Sequence, residues 1–200
     1  MRNNQKENSL KDKTAKGLFW GGLSNGVQQL INMIIGIFLA RILSPDDYGM
    51  VGMLTIFTLI AGVLQESGFT AALVNKKDIE HTDYNAVFWF TTLMGICMYS
   101  ILFACAPLIA AFYNKPELTS LARFLFISIF VSSTSITHYA YLFKNLMVKQ
   151  RAIAQITALV LSGTIGIILA LNDFAYWGIA IQSVSYTIVS TSVCWFFSGW

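Results

Sequence analysis

Apolar residues in this chain come in long runs broken by short polar punctuation, and each run is long enough to cross a hydrocarbon core as a helix, which takes about 20 residues. Six such runs are expected, near 17–40, 50–72, 86–112, 119–143, 153–171 and 175–197, joined by short loops at 41–49, 73–85, 113–118, 144–152 and 172–174. The pattern therefore predicts an all-α integral membrane protein, a six-helix transmembrane bundle. A basic tail over 1–16 precedes a six-span lobe over 17–200. Little chain is left for a soluble catalytic or binding domain, so function falls to the helices and their turns.

Polar residues inside the runs carry the next layer of information. Asn25, Gln28, Gln29, Asn32 and Gly36 follow helical spacing and share one face of the first span, whose other side is Leu, Ile, Met and Phe. An amide in hydrocarbon costs a few kcal/mol unless it is re-bonded, so such a stripe faces protein or a wet cavity. Two readings stand: interhelical hydrogen bonding, helped by the close approach that Gly17, Gly21, Gly22 and Gly26 permit, or the wall of a cavity for a polyhydroxylated solute. In the fourth span Ser128, Ser132, Ser135 and Tyr139 fall on one face. Hydroxyls there can simply bond back to their own helix. The sixth span adds Gln182, Ser185, Tyr186, Thr187, Ser190, Thr191 and Ser192. His138 reads as a hydrogen-bonded packing residue or a proton relay, and Pro107 should kink or loosen the third span near its outer end, because it lacks an N–H and crowds the carbonyl of Phe103.

Composition agrees with the pattern: 56% of the residues are hydrophobic and 12% are charged, about half the charge of a typical soluble domain. The net charge of +3 comes from residues at membrane edges, not from a groove that would hold nucleic acid. Arg2, Lys6, Lys11, Lys13, Lys16, Lys76, Lys77, Lys144, Lys149 and Arg151 fall on one side of the expected membrane, and only Arg41, Lys115 and Arg123 on the other. The positive-inside rule then puts the N-terminus in the cytoplasm. Cys97, Cys105 and Cys194 lie within spans without paired spacing, so neither a disulfide framework nor a metal site is indicated. The first span is too long and too rich in amides for a cleaved signal peptide. Two charges near spans invite functional readings. Glu66, the acid near the end of the second span, is interfacial or couples to an ion gradient. Arg123 snorkels or attracts an anionic lipid headgroup.

The turn after the first span reads FLARILSPDDYGMVGM. Its Ala40, Arg41, Leu43, Ser44, Pro45, Tyr48 and Gly49 resemble the N-terminal signature of the polysaccharide-transporter (O-antigen flippase) branch of the multidrug/oligosaccharidyl-lipid/polysaccharide exporter superfamily. The resemblance continues through KGLFWGGLSN, GFTAALV, VFWF and APLIAAFYNKPEL, about the first 120 residues, and thins later, where NDF at 172–174 replaces the family's glycine-rich turn. It implies one lobe of a two-lobe protein of twelve to fourteen helices that works by alternating access, so the chain reads as a fragment. It also implies a substrate, an oligosaccharide on a polyprenyl diphosphate, moved across the bacterial cytoplasmic (inner) membrane for lipopolysaccharide or exopolysaccharide synthesis. Polysaccharide polymerase and export machinery would be partners, and no cofactor is needed.

On that reading Asn25, Gln28, Gln29, Asn32, Ser132 and Ser135 line the substrate cavity, Arg123 meets the diphosphate, Glu66 couples the ion and Arg41 orients the end of the first span. A multidrug exporter of the same superfamily is the nearest alternative, though it would ordinarily want an acid in the cavity. A non-transporting scaffold subunit is another. The enzyme alternative is a polytopic glycosyltransferase in which Asp46 and Asp47 hold a divalent metal, in a loop as short as 41–49 that is also ordinary turn chemistry.

Overall fold

The computed structural model describes residues 2–66, 68–75 and 79–199. Among these residues eight helices follow in order: α1 (Arg2–Ile42), α2 (Pro45–Glu66), α3 (Phe69–Asn75), α4 (His81–Phe112), α5 (Leu118–Leu125), α6 (Ile127–Lys144), α7 (Val148–Leu171) and α8 (Tyr176–Ser198). Six segments of the described residues are long and apolar enough to cross a membrane: Trp20–Ile42, Pro45–Glu66, His81–Phe112, Leu118–Lys144, Val148–Leu171 and Tyr176–Ser198. The expected six-span, all-helical architecture is therefore observed, and the chain is a multi-pass membrane protein. The fourth crossing combines α5 and α6, which break at Phe126.

Boundaries differ from the hydrophobicity pattern where polar caps or backbone conformation decide them. The second span starts at Pro45, inside the expected loop, because Ser44 and Asp47 cap it reciprocally. The Ser44 N–H and Oγ donate to Asp47 Oδ2 at 2.9 and 2.7 Å, and the Asp47 N–H donates back to Ser44 Oγ at 3.3 Å. Pro45 then takes the first helical position, where its missing N–H costs nothing. The same span stops at Glu66 instead of running to 72, since Gly68 turns left-handed at φ +89° and redirects the chain into α3. The third span starts early, at His81, where Asp83 accepts from the Glu80 N–H at 3.1 Å. It runs unbroken as helix through Pro107 to Phe112.

Helix directions can be read from pairs that touch. Gly21 lies by Val148, Gln28 by Gln155 and Gly163 by Ile35, a nearly constant offset that makes α1 and α7 parallel. Gly166 against Gln182 and Gly178 against Ala170 make α7 and α8 antiparallel, as Tyr84 with Tyr141 and Gly95 with Ser133 do for α4 and α6. The glycines are the points of closest approach: a Cβ on Gly95 would overlap the Ser133 side chain, and one on Gly163 would overlap Ile35. Small residues at such crossings let helices gain van der Waals contact that lipid cannot supply.

The bundle has two unlike ends. The far end holds the α1–α2 and α7–α8 turns and α5. There Leu54, Leu118, Leu121, Ala122, Phe126 and Ala180 are wholly buried at the meeting of α2, α4, α5 and α8. The basic end holds α3 and the α6–α7 turn. Phe112 at 78% and Phe196 at 83% exposure stand among many outward apolar side chains, as a lipid-facing surface requires.

Candidate functional site

A cleft of about 840 Å³ opens at the basic end between α2, α6, α7 and α8, with α3 at its mouth. Helical spacing builds each wall. Ser132, Ser135 and Tyr139 fall at i, i+3 and i+7 of α6, Arg151 and Gln155 at i and i+4 of α7, and Tyr186, Thr187, Ser190 and Thr191 on one side of α8. From α2 come Gly62, Gln65 and Glu66. The lining combines hydroxyls, amides and tyrosines with the apolar Ala71, Ile136 and Phe143, and Arg151 and Glu66 are its charged members.

Much of this polarity is already tied into the bundle. Gln65, buried, donates to the Ile129 carbonyl at 3.2 Å and accepts from Ser132 Oγ at 3.4 Å, linking α2 to α6. Ser135 Oγ bonds back to the Ser132 carbonyl at 2.7 Å. Tyr139 and Ser190 share a 2.8 Å hydrogen bond between α6 and α8. The Arg151 guanidinium carbon lies 5.3 Å from the centre of the Tyr139 ring, a cation–π contact that holds the charge against the wall. Among the described residues no hydrogen bond or ion pair occupies its N–H groups. Stacking on a ring covers a guanidinium's face and leaves its edge, with five donors, available.

A smaller cavity of about 180 Å³ lies between α1 and α7, bounded by Gly21, Ser24, Asn25, Val148, Ala152 and the same Arg151 and Gln155 that line the main cleft. Here the amide stripe of the first span divides. Gln28 turns to the neighbouring helix, donating to Gln155 Oε1 at 3.3 Å and to Ser24 Oγ at 2.8 Å. Asn25 lines the small cavity. Gln29 and Asn32 are exposed and line neither cavity. The face that α1 buries is Ser24, Ile35 and Leu39, one position back from the amides.

Of the other candidates, Glu66, Ser132 and Ser135 come together in the main cleft. Arg123 lines neither cavity; it belongs to α5 at the far end, its guanidinium carbon 4.4 Å from the centre of the Phe103 ring. Arg41 is exposed in the last turn of α1. Ser44 and Pro45 are spent on the α2 cap, Tyr48 is exposed and Gly49 half-buried nearby. Asp47 serves that same cap, and neither it nor Asp46 lines a cavity. His138 packs against Trp195 and Phe88 and shares a 2.8 Å hydrogen bond with Ser198, tying α6 to the end of α8. Sequence reasoning misses Gln65, Gln155 and Arg151. The last reads there only as a loop charge, although Arg151 and Gln155 stand one helical turn apart at the start of an apolar run.

Fold and cavity together define a multi-pass helical membrane protein with a polar cleft cut into one end of its bundle. A family model described as polysaccharide biosynthesis protein matches residues 38–200, and the chain belongs to that family, as the signature in the turn after its first span implied. Similar proteins include the lipopolysaccharide biosynthesis protein WzxC of Escherichia coli, 21% identical over 92% of this chain and 37% of that protein. The succinoglycan biosynthesis transport protein ExoT of Rhizobium meliloti is 25% identical over 86% of this chain and 35% of its own length. The teichuronic acid biosynthesis protein TuaB of Bacillus subtilis is 26% identical over 62% of this chain and 26% of its own. The chain thus spans little more than a third of the first two relatives. No solved structure matches it significantly.

Proposed function

We propose that this lobe is part of a transporter that moves a polyprenyl-diphosphate-linked oligosaccharide from the inner to the outer leaflet of the bacterial cytoplasmic membrane, for lipopolysaccharide or exopolysaccharide synthesis. The observation that carries the reading is the main cleft: about 840 Å³, within the range of sites that enclose small ligands, with a lining of neutral donors and acceptors beside tyrosine rings. A sugar headgroup cannot shed its hydration to cross hydrocarbon unaided; a polar cavity replaces that hydration while the prenyl tail stays in lipid. With the basic end cytoplasmic, as the distribution of Lys and Arg argues, the cleft opens inward. Closure at that end and opening at the other would complete alternating access.

In this reading the sugar meets Ser132, Ser135, Tyr139, Tyr186 and Gln155, and Arg151 replaces Arg123 as the cation that faces the diphosphate. The exposed Asn25, Gln29 and Asn32 extend the polar wall along α1, and Glu66 at the mouth is the group available for ion coupling. Residues 1–16 form a cytoplasmic tail and the rest one lobe, and polysaccharide polymerase and export machinery are the expected partners.

The test uses the whole protein that carries this lobe, in a strain lacking its own transporter of this kind. Wild type should return lipid-linked oligosaccharide to the outer leaflet, and Arg151→Gln, at equal membrane abundance, should leave it on the inner leaflet. Normal outer-leaflet delivery by a doubly substituted Arg151→Gln, Gln155→Leu protein would remove the cleft from the pathway. Single cysteines at 25, 29 and 32 should react with a water-soluble thiol reagent while those at 27 and 31 resist; equal protection of both sets takes α1 out of the wall.

A further inference from the structure

We infer that the small cavity between α1 and α7 is a binding site for the phosphate of an anionic lipid. Its volume of about 180 Å³ equals roughly six waters at about 30 Å³ each, room for a phosphate group. Among the described residues its polar lining comes from Ser24, Asn25, Arg151 and Gln155, every one of which can donate a hydrogen bond, and none of which is a carboxylate. The guanidinium edge is unoccupied among the described residues. A cation with hydroxyl and amide donors beside it suits a phosphate oxygen cluster, because charge-assisted hydrogen bonds are the strong ones.

The depth fits a lipid headgroup. Trp20 opens the first span and Lys149 lies in the first turn of α7, with the Lys149 ammonium 5.6 Å from the centre of the Trp20 ring. Both stand at the edge of the cavity, Trp20 next to Gly21 and Lys149 between Val148 and Arg151. A tryptophan with a lysine over its ring belongs at the membrane–water boundary, where anionic lipid phosphates concentrate. Lys149 would then meet a phosphate that enters from this boundary before Arg151 receives it. Because Arg151 and Gln155 belong to both cavities, a phosphate seated here also fixes the side chain that faces the main cleft. Two sources share this chemistry: a phospholipid of the bilayer, and the phosphate of a polyprenyl carrier.

The test is direct binding, so it stands apart from transport. The whole protein carrying this lobe, in neutral detergent, is titrated with phosphatidylglycerol or phosphatidylcholine, and retained lipid is counted by native mass spectrometry. One phosphatidylglycerol should be held, and phosphatidylcholine about tenfold more weakly or not at all. Arg151→Gln should weaken retention about tenfold or more and Lys149→Gln about threefold, with Lys115→Gln, at the far end, unchanged. Should Arg151→Gln fail to fold, Arg151→Lys, which keeps the charge and loses the fork, should fall between it and wild type. Displacement of phosphatidylglycerol by a polyprenyl phosphate names the carrier lipid as occupant; resistance to displacement names the bilayer phospholipid. Equal retention of both phospholipids, or equal loss in Lys149→Gln and Lys115→Gln, overturns the assignment.

Discussion

The two ends of the bundle solve opposite problems with the same helices. At the far end α2, α4, α5 and α8 meet over Leu54, Leu121, Phe126 and Ala180, side chains with no exposed surface. At the basic end α2, α6 and α8 are among the walls of a cleft of about 840 Å³. α2 passes from one regime to the other within a few turns, from buried Leu54 and Ala61 to Gln65 and Glu66 on the cleft wall. Apolar packing tolerates no gap, because a void forfeits dispersion attraction that nothing else restores. The polar end can stay open, because water and a hydrophilic ligand satisfy what the helices leave unpaired. Opening only one end asks the closed one to hold the helices together.

That division predicts a graded set of responses. The largest is at the closed end. Phe126→Ala, in a site with no exposed surface, should lower unfolding free energy by about 3–5 kcal/mol, whereas Phe143→Ala on the half-exposed lip of the cleft should cost under about 1 kcal/mol. Equal shifts in the thermal midpoint of the detergent-solubilised protein would erase the distinction between the ends. Next comes Gly95→Val, which forces a side chain into Ser133 and should cost about 1–3 kcal/mol or more by overpacking, read in the same melting assay. Tyr139→Phe should be milder. It removes the hydrogen bond to Ser190, worth about 1 kcal/mol, while keeping the ring under Arg151, so lipid retention should survive in Tyr139→Phe and weaken in Tyr139→Leu. The smallest effect belongs to the turn. Asp47→Ala should lose about 1 kcal/mol with the α2 cap, and Asp46→Ala should stay within about 0.5 kcal/mol, with no effect of either on sugar-lipid transfer.

Much of this contrast is legible in the residues alone, and the parts that are not share a cause. Runs of apolar residues mark six crossings because nothing else in a chain needs such length. Their ends escape because caps such as Ser44 with Asp47, and a single conformation at Gly68, outrank hydropathy there. The departure at 172–174 also has a conformational basis. Asp173 at φ +60° and Ala175 at φ +45° hold the positive-φ backbone that glycine adopts most easily. Helical spacing correctly groups Ser132, Ser135 and Tyr139 on one face. It cannot say which neighbour covers a face, so the amides of α1 read as one stripe although Gln28 bonds to α7, Asn25 lines the small cavity and Gln29 and Asn32 stay exposed. Arg151 is hidden by its own charge, which counts toward topology before it can count toward a site.

The in-step pairing of α1 with α7 has a consequence for how the protein is made. Gln28 and its partner Gln155 are separated by 127 residues. At a synthesis rate of about 5–20 residues per second, the first amide waits roughly 6–25 s before its partner leaves the ribosome. During that interval α1 is a finished helix with polar groups and no groove to receive them. The contact between α1 and α7 can therefore form only after the fifth crossing has been made, and the order of translation becomes part of the assembly of the bundle.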